Sequence, residues 1–290
     1  MSWREVIISE RCKLDYSMNY MVVRGEETKR ILLDEIALLI IENNTVSMTG
    51  CLLSALVEKK IKVVLCDDKR SPQAELVSYY GAHNDSYKIK QQICWGEDLR
   101  KMIWTSIIRE KISNQSKLLL KYNNSEQANM LKKYVDDLVP GDITNREGHA
   151  AKVYFNALFG MSFTRSDEEN IINVVLNYGY ALLLSAFNRE IVANGYLTQL
   201  GLGHDNQFNH FNLSCDLMEP FRIIIDDIAK SNNFTSFGTD EKHEIVKVLN
   251  KGFIVRGNEQ TLLNAIKLYT KSVFDAINEC NIDLIKFVEI

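Results

Sequence analysis

The chain has 290 residues, 46% of them hydrophobic and 25% charged, with 14 Gly, 3 Pro, 6 Cys and a formal net charge of −4. This composition excludes collagen-like, low-complexity and disordered classes and suits one large or two modest globular domains. No apolar run approaching the roughly 20 residues of a membrane span is expected. Arg4, Glu5, Glu10 and Arg11 interrupt the start, where a signal peptide needs an apolar core. The expected location is therefore cytoplasmic, with no membrane partner.

Residues 1–75 read as β-rich. Short apolar and β-branched runs recur at Glu5–Ser9, Asn19–Arg24, Thr28–Leu33, Ile36–Ile41 and Ile61–Cys66. Polar breaks such as Arg24-Gly25-Glu26 separate them. One helix is predicted at 48–59 from the spacing of Leu52, Leu53, Leu56 and Val57, and a last strand or linker at Glu75–Tyr80. From residue 85 the apolar period becomes 3.6, first through Leu99, Met102, Ile103, Ile107 and Ile108, later through Ile171, Val174, Val175, Tyr178, Leu182 and Leu183. Strands first and helices afterwards predict an α+β chain or two domains, not an alternating βαβ fold.

The modest net charge hides an asymmetry. Residues 1–80 carry 11 Lys/Arg against 12 Asp/Glu (net −1), residues 81–135 carry 10 against 5 (+5), and residues 136–290 carry 13 against 21 (−8). The basic block, with Lys88, Lys90, Arg100, Lys101, Arg109 and Lys111 interleaved with Trp95 and Trp104, is either a solvated helical face or a sequence-independent phosphate contact. No zinc-finger or helix-turn-helix pattern indicates base readout. The six cysteines include no CxxC pair, which argues against a disulfide framework and a zinc knuckle.

No P-loop, no GxGxxG opening a helix and no GxSxG elbow is present. What remains is polar residues set in apolar helical patterns. Glu147 lies in phase with Ala150, Ala151, Tyr154, Phe155 and Leu158, so it points to their buried face; Thr144-x-x-Glu147 equally reads as a capping box. His204 follows Gly195, Gly201 and Gly203 in a loop where backbone can approach a ligand, or is simply a hydrogen-bonded loop histidine, with His149 and His210 as competitors. Asp216 and Glu219 share one helical face with Arg222 a turn further on, and Pro220 must kink that helix or begin a new one. Two hard oxygens and one imidazole, from Glu147, His204 and Glu219, suit Mg²⁺ or Mn²⁺ better than structural zinc.

Several segments in order resemble one family: Asn145-Arg-Glu-Gly-His-Ala-Ala-Lys-Val-Tyr-Phe, Leu176-Asn-Tyr-Gly-Tyr-Ala-Leu-Leu, Gly195 through His204, and Asp216-Leu-Met-Glu-Pro-Phe-Arg222, with Asn44-Thr-Val-Ser-Met-Thr-Gly and Lys62-Val-Val-Leu-Cys-Asp before them. The chain resembles the CRISPR-associated integrase, the nuclease/integrase subunit of spacer acquisition, in its type II-A form. The resemblance implies a β-sandwich-like dimerisation domain over 1–78 and a larger all-α metal-binding nuclease/integrase domain over 79–290. It implies Glu147, His204 and Glu219 as catalytic metal ligands, Asp216 and Arg222 in support, and Mg²⁺ or Mn²⁺ as cofactor. Implied partners are double-stranded DNA, a second copy of the chain and a small ferredoxin-like subunit; the type II form adds an effector nuclease and a ring-shaped DNA-binding subunit. The implied reaction is attack of a 3′-hydroxyl on repeat phosphodiesters. The competing reading is a non-catalytic dimeric DNA-binding scaffold whose carboxylates serve only caps and ion pairs.

Overall fold

The structure is a computed structural model, described for residues 4–68, 70, 72–76, 84–232 and 234–290. The chain divides into two compact units, Met1–Gly81 and Ala82–Ile290. The boundary expected at 78/79 falls in 77–83, outside the described residues.

In the first unit the strands are β1 (Arg4–Ile8), β2 (Lys13–Ser17), β3 (Tyr20–Arg24), β4 (Thr28–Leu32), β5 (Ile36–Ile41), β6 (Ser47–Met48), β7 (Lys62–Cys66) and β8 (Pro72–Leu76). They form two four-stranded sheets, ordered β1-β5-β7-β8 and β4-β3-β2-β6. All six residues of β5 are buried, as expected for a strand with parallel neighbours on both sides. Leu14 and Met21 from one sheet, Leu39, Ile41 and Val63 from the other, and Leu52 and Leu56 from helix α1 (Gly50–Glu58) make one hydrophobic core. The two-sheet expectation therefore holds. Strand β2 is not evident in the sequence because only Leu14 of its five residues is buried, and its turn uses Met18 and Asn19, both at positive φ, in place of a glycine. Strand β8 begins three residues before the predicted Glu75, and the predicted stretch beyond Leu76 lies outside the described residues.

The second unit contains α2 (Asp85–Ile93), α3 (Glu97–Lys121), α4 (Ser125–Asp136), α5 (Arg146–Phe159), α6 (Ile171–Ala193), α7 (Asn212–Met218), α8 (Arg222–Ser231), α9 (Thr239–Val246) and α10 (Leu262–Asn278). It is not all-α. Strands β9 (Gly252–Val255) and β10 (Asn258–Thr261) form an antiparallel hairpin whose two loop residues, Arg256 and Gly257, both have positive φ. Four-residue strands hold too few alternations to stand out from the surrounding helical period.

Helix α3, 25 residues long, packs against α4, α5 and α8, and it buries Ile103, Trp104, Ile107, Ile108 and Ile112. Helix α6 corrects the expectation that no segment approaches membrane-spanning character: its 23 residues are long and apolar enough by length and composition. Its most apolar window is 67% buried inside the protein, against α7, α8 and α10, so it serves as a core helix here. Gly179 allows this packing, since a Cβ there would come within 2.4 Å of Ile225 on α8.

Candidate functional site

The site is built where α3, the start of α5, the loop after α6 and the α7–α8 corner meet. Helix α5 starts on Asn145, which sits in the left-handed region at φ 53° and accepts a hydrogen bond from Gly148 N at 3.3 Å. Asp142 accepts from the amides of Arg146 and Glu147 at 2.8 and 2.9 Å. These two side chains satisfy three of the orphan donors at the helix start. The capping box expected of Thr144 and Glu147 is not formed, because the cap lies one residue later and Glu147 is the second helical residue. Its carboxylate is thereby released, and Oε1 lies 2.5 Å from Lys111 Nζ on α3.

The glycine-containing loop is held by Asp216 of α7, which is fully buried. Its Oδ2 accepts from the amides of Leu202 at 2.5 Å and Gly203 at 3.1 Å. Its Oδ1 accepts from His204 N at 3.0 Å and faces His204 Nδ1 at 2.6 Å. With a proton on Nδ1, the imidazole presents the lone pair of Nε2 outward, which is the tautomer a metal ligand requires. The hydrogen bond to Asp216 raises the His204 pKa above its usual value, against the effect of burial. Trp104 of α3 closes the other side, edge-on to His204 with ring centroids 5.5 Å apart. Gly203 is required there: a Cβ would stand 2.3 Å from the Trp104 ring.

Pro220 ends α7 as expected. A 3-10 turn over Glu219–Phe221 links α7 to α8 and turns Glu219 inward, where it is 3% exposed. Its Oε2 lies 2.6 Å from Lys111 Nζ and 3.0 Å from Arg222 Nε. Burial works to raise this carboxyl, but Arg222 and then Lys111 overcome it and hold the group down at about 2. Lys111 is kept charged in the same way: burial opposes its charge, while Glu219 and Glu147 raise its pKa. Arg222 also lies over the Tyr180 ring at 4.6 Å. Behind it Tyr180 donates to Asp226 Oδ1, and Tyr154 donates to Oδ2 at 2.8 Å.

The structure thus brings together Glu147, His204, Asp216, Glu219 and Arg222. Among the described residues no three His, Cys, Asp or Glu side chains already form a ligand set around one point, and the two glutamates meet instead through Lys111. The donor chemistry nevertheless fits a hard divalent cation. Two carboxylates face one cationic centre, Glu219 Oε2 is buried against Lys111 and Arg222, and among the described residues no hydrogen bond engages His204 Nε2.

Of the six residues expected to hold a duplex, Lys90 and Arg109 are exposed, Lys88, Arg100 and Lys101 are half-buried, and Lys111 is 8% exposed. The placement of Lys111 on an outer basic face is therefore corrected: its ammonium lies inside the site. Lys88 donates to Tyr196 Oη, Lys101 pairs with Glu97, and Arg109 donates to the Val135 carbonyl. His149 and His210 are both exposed, and no contact joins either to this cluster. Sequence reasoning missed Lys111, Asp142 and Trp104 as parts of the site. The signal for Lys111 was available, since it lies four residues after Ile107 and three after Ile108, on the apolar stripe of α3.

Comparison with known proteins gives a consistent result. The chain is 37% identical over 227 residues to the CRISPR-associated endonuclease Cas1 of Neisseria meningitidis serogroup C (strain 8013), covering 78% of this chain and 74% of that protein. It is 26% identical over 248 residues to a Cas1 endonuclease of Francisella tularensis subsp. novicida (strain U112), covering 77% of each. Among solved structures, a casposase bound to integration product superposes with a TM-score of 0.76 at 20% identity, covering 97% of this chain and 92% of that one. The Cas1 protein from Thermotoga maritima gives 0.75 at 16%, covering 96% and 97%. A chain of a Cas6-RT-Cas1–Cas2 complex gives 0.75 at 17% identity, with 97% of this chain matching 36% of that longer polypeptide. At these identities the structures show a shared fold. The family described as CRISPR associated protein Cas1 matches residues 6–233, and with the Neisseria relative this establishes that the chain belongs to the Cas1 family of CRISPR-associated endonucleases.

Proposed function

We propose that this protein inserts DNA fragments into a CRISPR array by 3′-hydroxyl attack on repeat phosphodiesters, with Glu147, His204 and Glu219 as its metal ligands. The observation that carries the reading is the pair of carboxylates, one of them buried, facing a single cationic centre beside a histidine whose Nδ1 is held by Asp216. Mg²⁺ or Mn²⁺ bound there supplies Lewis-acid polarisation of the phosphodiester. The side chains account for the rest. Asp216 fixes the His204 tautomer and clamps its loop, so that Nε2 is presented without a search over rotamers. Arg222 keeps Glu219 ionised inside the protein and holds its orientation. Because one phosphodiester replaces another, the exchange needs no external energy source; hydrolysis is the same displacement with water as nucleophile.

Cas1 membership and the likeness to a casposase bound to integration product support this reading. The likeness to chains from Cas6-RT-Cas1–Cas2 complexes supports a small Cas2-type subunit, of the ferredoxin-like kind, as partner. We further assign double-stranded DNA as substrate, with Lys88, Lys90, Arg100, Lys101 and Arg109 contributing phosphate contacts, dimerisation through the β-rich unit, and a cytoplasmic location. The test is disintegration: the protein, Mn²⁺ and a branched DNA mimicking the half-integrated product, followed on a denaturing gel. Metal-dependent strand rejoining is expected in the wild type, lost in Glu219→Ala, Glu147→Ala and His204→Ala while duplex binding persists. Equal rejoining by the variants would overturn the ligand assignment.

A further inference from the structure

Lys111 is the unusual group in this site. It belongs to the apolar stripe of α3, its neighbours Ile107, Ile108 and Ile112 are buried, and the lysine itself is 8% exposed. A lysine in such a place is costly unless paired. It is paired twice, with Nζ 2.5 Å from Glu147 Oε1 and 2.6 Å from Glu219 Oε2. The two carboxylates come from different helical segments, α5 and the turn between α7 and α8. Among the described residues, Lys111 is the side chain that touches both. Glu219 has Arg222 as a second partner, whereas the charged partner of Glu147 among the described residues is Lys111.

We propose that Lys111 is a resident positioning cation that holds Glu147 and Glu219 face to face and sets how tightly the site binds a divalent ion. This inference rests on the metal-binding reading above and goes beyond it. Electrostatics gives the direction. Two carboxylates, Glu219 buried and Glu147 half-buried, attract a divalent cation strongly; a fixed ammonium in contact with both cancels part of that field at short range, where the effective dielectric is below that of water and salt screens less. Lys111 therefore weakens metal binding while protecting the carboxylates from mutual repulsion. An affinity restrained in this way makes occupancy of the site depend on the metal concentration instead of being fixed by folding. The same charge remains beside the ligands when a phosphodiester arrives, a position from which it can neutralise substrate charge.

The test is Mn²⁺ titration by calorimetry on the full chain without DNA, with thermal melting in parallel, for wild type, Lys111→Met, Lys111→Arg and Glu219→Gln. Lys111→Met is expected to bind Mn²⁺ at least tenfold more tightly than wild type. It should melt lower without metal, and its melting temperature should rise more on adding Mn²⁺. Lys111→Arg, which keeps the charge, should stay close to wild-type affinity. If Lys111→Met does not fold, the same titration on Lys111→Gln decides. Unchanged or weaker Mn²⁺ binding by the neutral variant, alongside wild-type binding that Glu219→Gln abolishes, would overturn this inference and leave the metal reading intact. Wild type that binds no Mn²⁺, or Glu219→Gln that binds it equally well, would overturn the metal reading and this inference with it.

Discussion

Asp216→Asn tests the geometry most directly. The wild-type carboxylate is fully buried and receives three backbone amides, Leu202, Gly203 and His204, together with His204 Nδ1. An asparagine offers one carbonyl oxygen, able to accept two of these four, and turns an NH₂ group toward the others. At least two buried or part-buried donors then lose their acceptor, each at about 1–3 kcal/mol, partly offset because a buried charge has been removed. A net loss of about 3 kcal/mol corresponds to a fall in Tm of roughly 6–12 °C for a protein of this size. Scanning calorimetry measures that loss. Hydrogen exchange at residues 202–204 localises it, because those amides should lose protection before the core of α6 does. The variant should also bind Mn²⁺ more weakly, with His204 no longer fixed. A Tm within about 2 °C of wild type, with residues 202–204 still protected, would refute the account of Asp216 as the clamp of this loop.

Three other substitutions probe separate parts of the argument. Gly203→Ala drives a methyl to 2.3 Å from the Trp104 ring and is expected to cost about 1–3 kcal/mol by overpacking, read as a lower urea midpoint; an unchanged midpoint would mean the loop and Trp104 are not in tight contact. Asp226 is buried between Tyr180 and Tyr154, and burial raises its pKa from 3.8 to about 6 against their hydrogen bonds. Because the folded state holds the proton more tightly, its stabilising contribution is full below pH 3.8 and is lost as pH rises through 6. Relative to Asp226→Asn, the wild type should therefore lose roughly 2 kcal/mol between pH 4 and 7, and a pH-independent difference would contradict this. Reversing the charges of Arg100, Lys101 and Arg109 should weaken duplex binding and flatten its salt dependence; an unchanged slope would place the DNA path elsewhere.

Sequence alone sets the order of classes along the chain, β-rich then helical, because apolar periods of 2 and 3.6 are local signals. It also determined which residue types could ligate a hard cation and that Pro220 must interrupt its helix, since proline lacks an amide donor whatever surrounds it. Short or poorly buried elements escaped: β2 buries only Leu14, and β9 and β10 span four residues each. Packing settles what local pattern leaves open. Thr144-x-x-Glu147 fits a capping box on spacing alone, yet Asn145 and Asp142 take the helix start and leave Glu147 for Lys111. Lys111 reads as one more charge in a basic block until the packing of α3 turns it inward. Its partners lie 36 and 108 residues away in sequence, and only the folded chain brings them to the same ammonium. Charge pairing at that range depends on distance and burial, neither of which the sequence encodes locally.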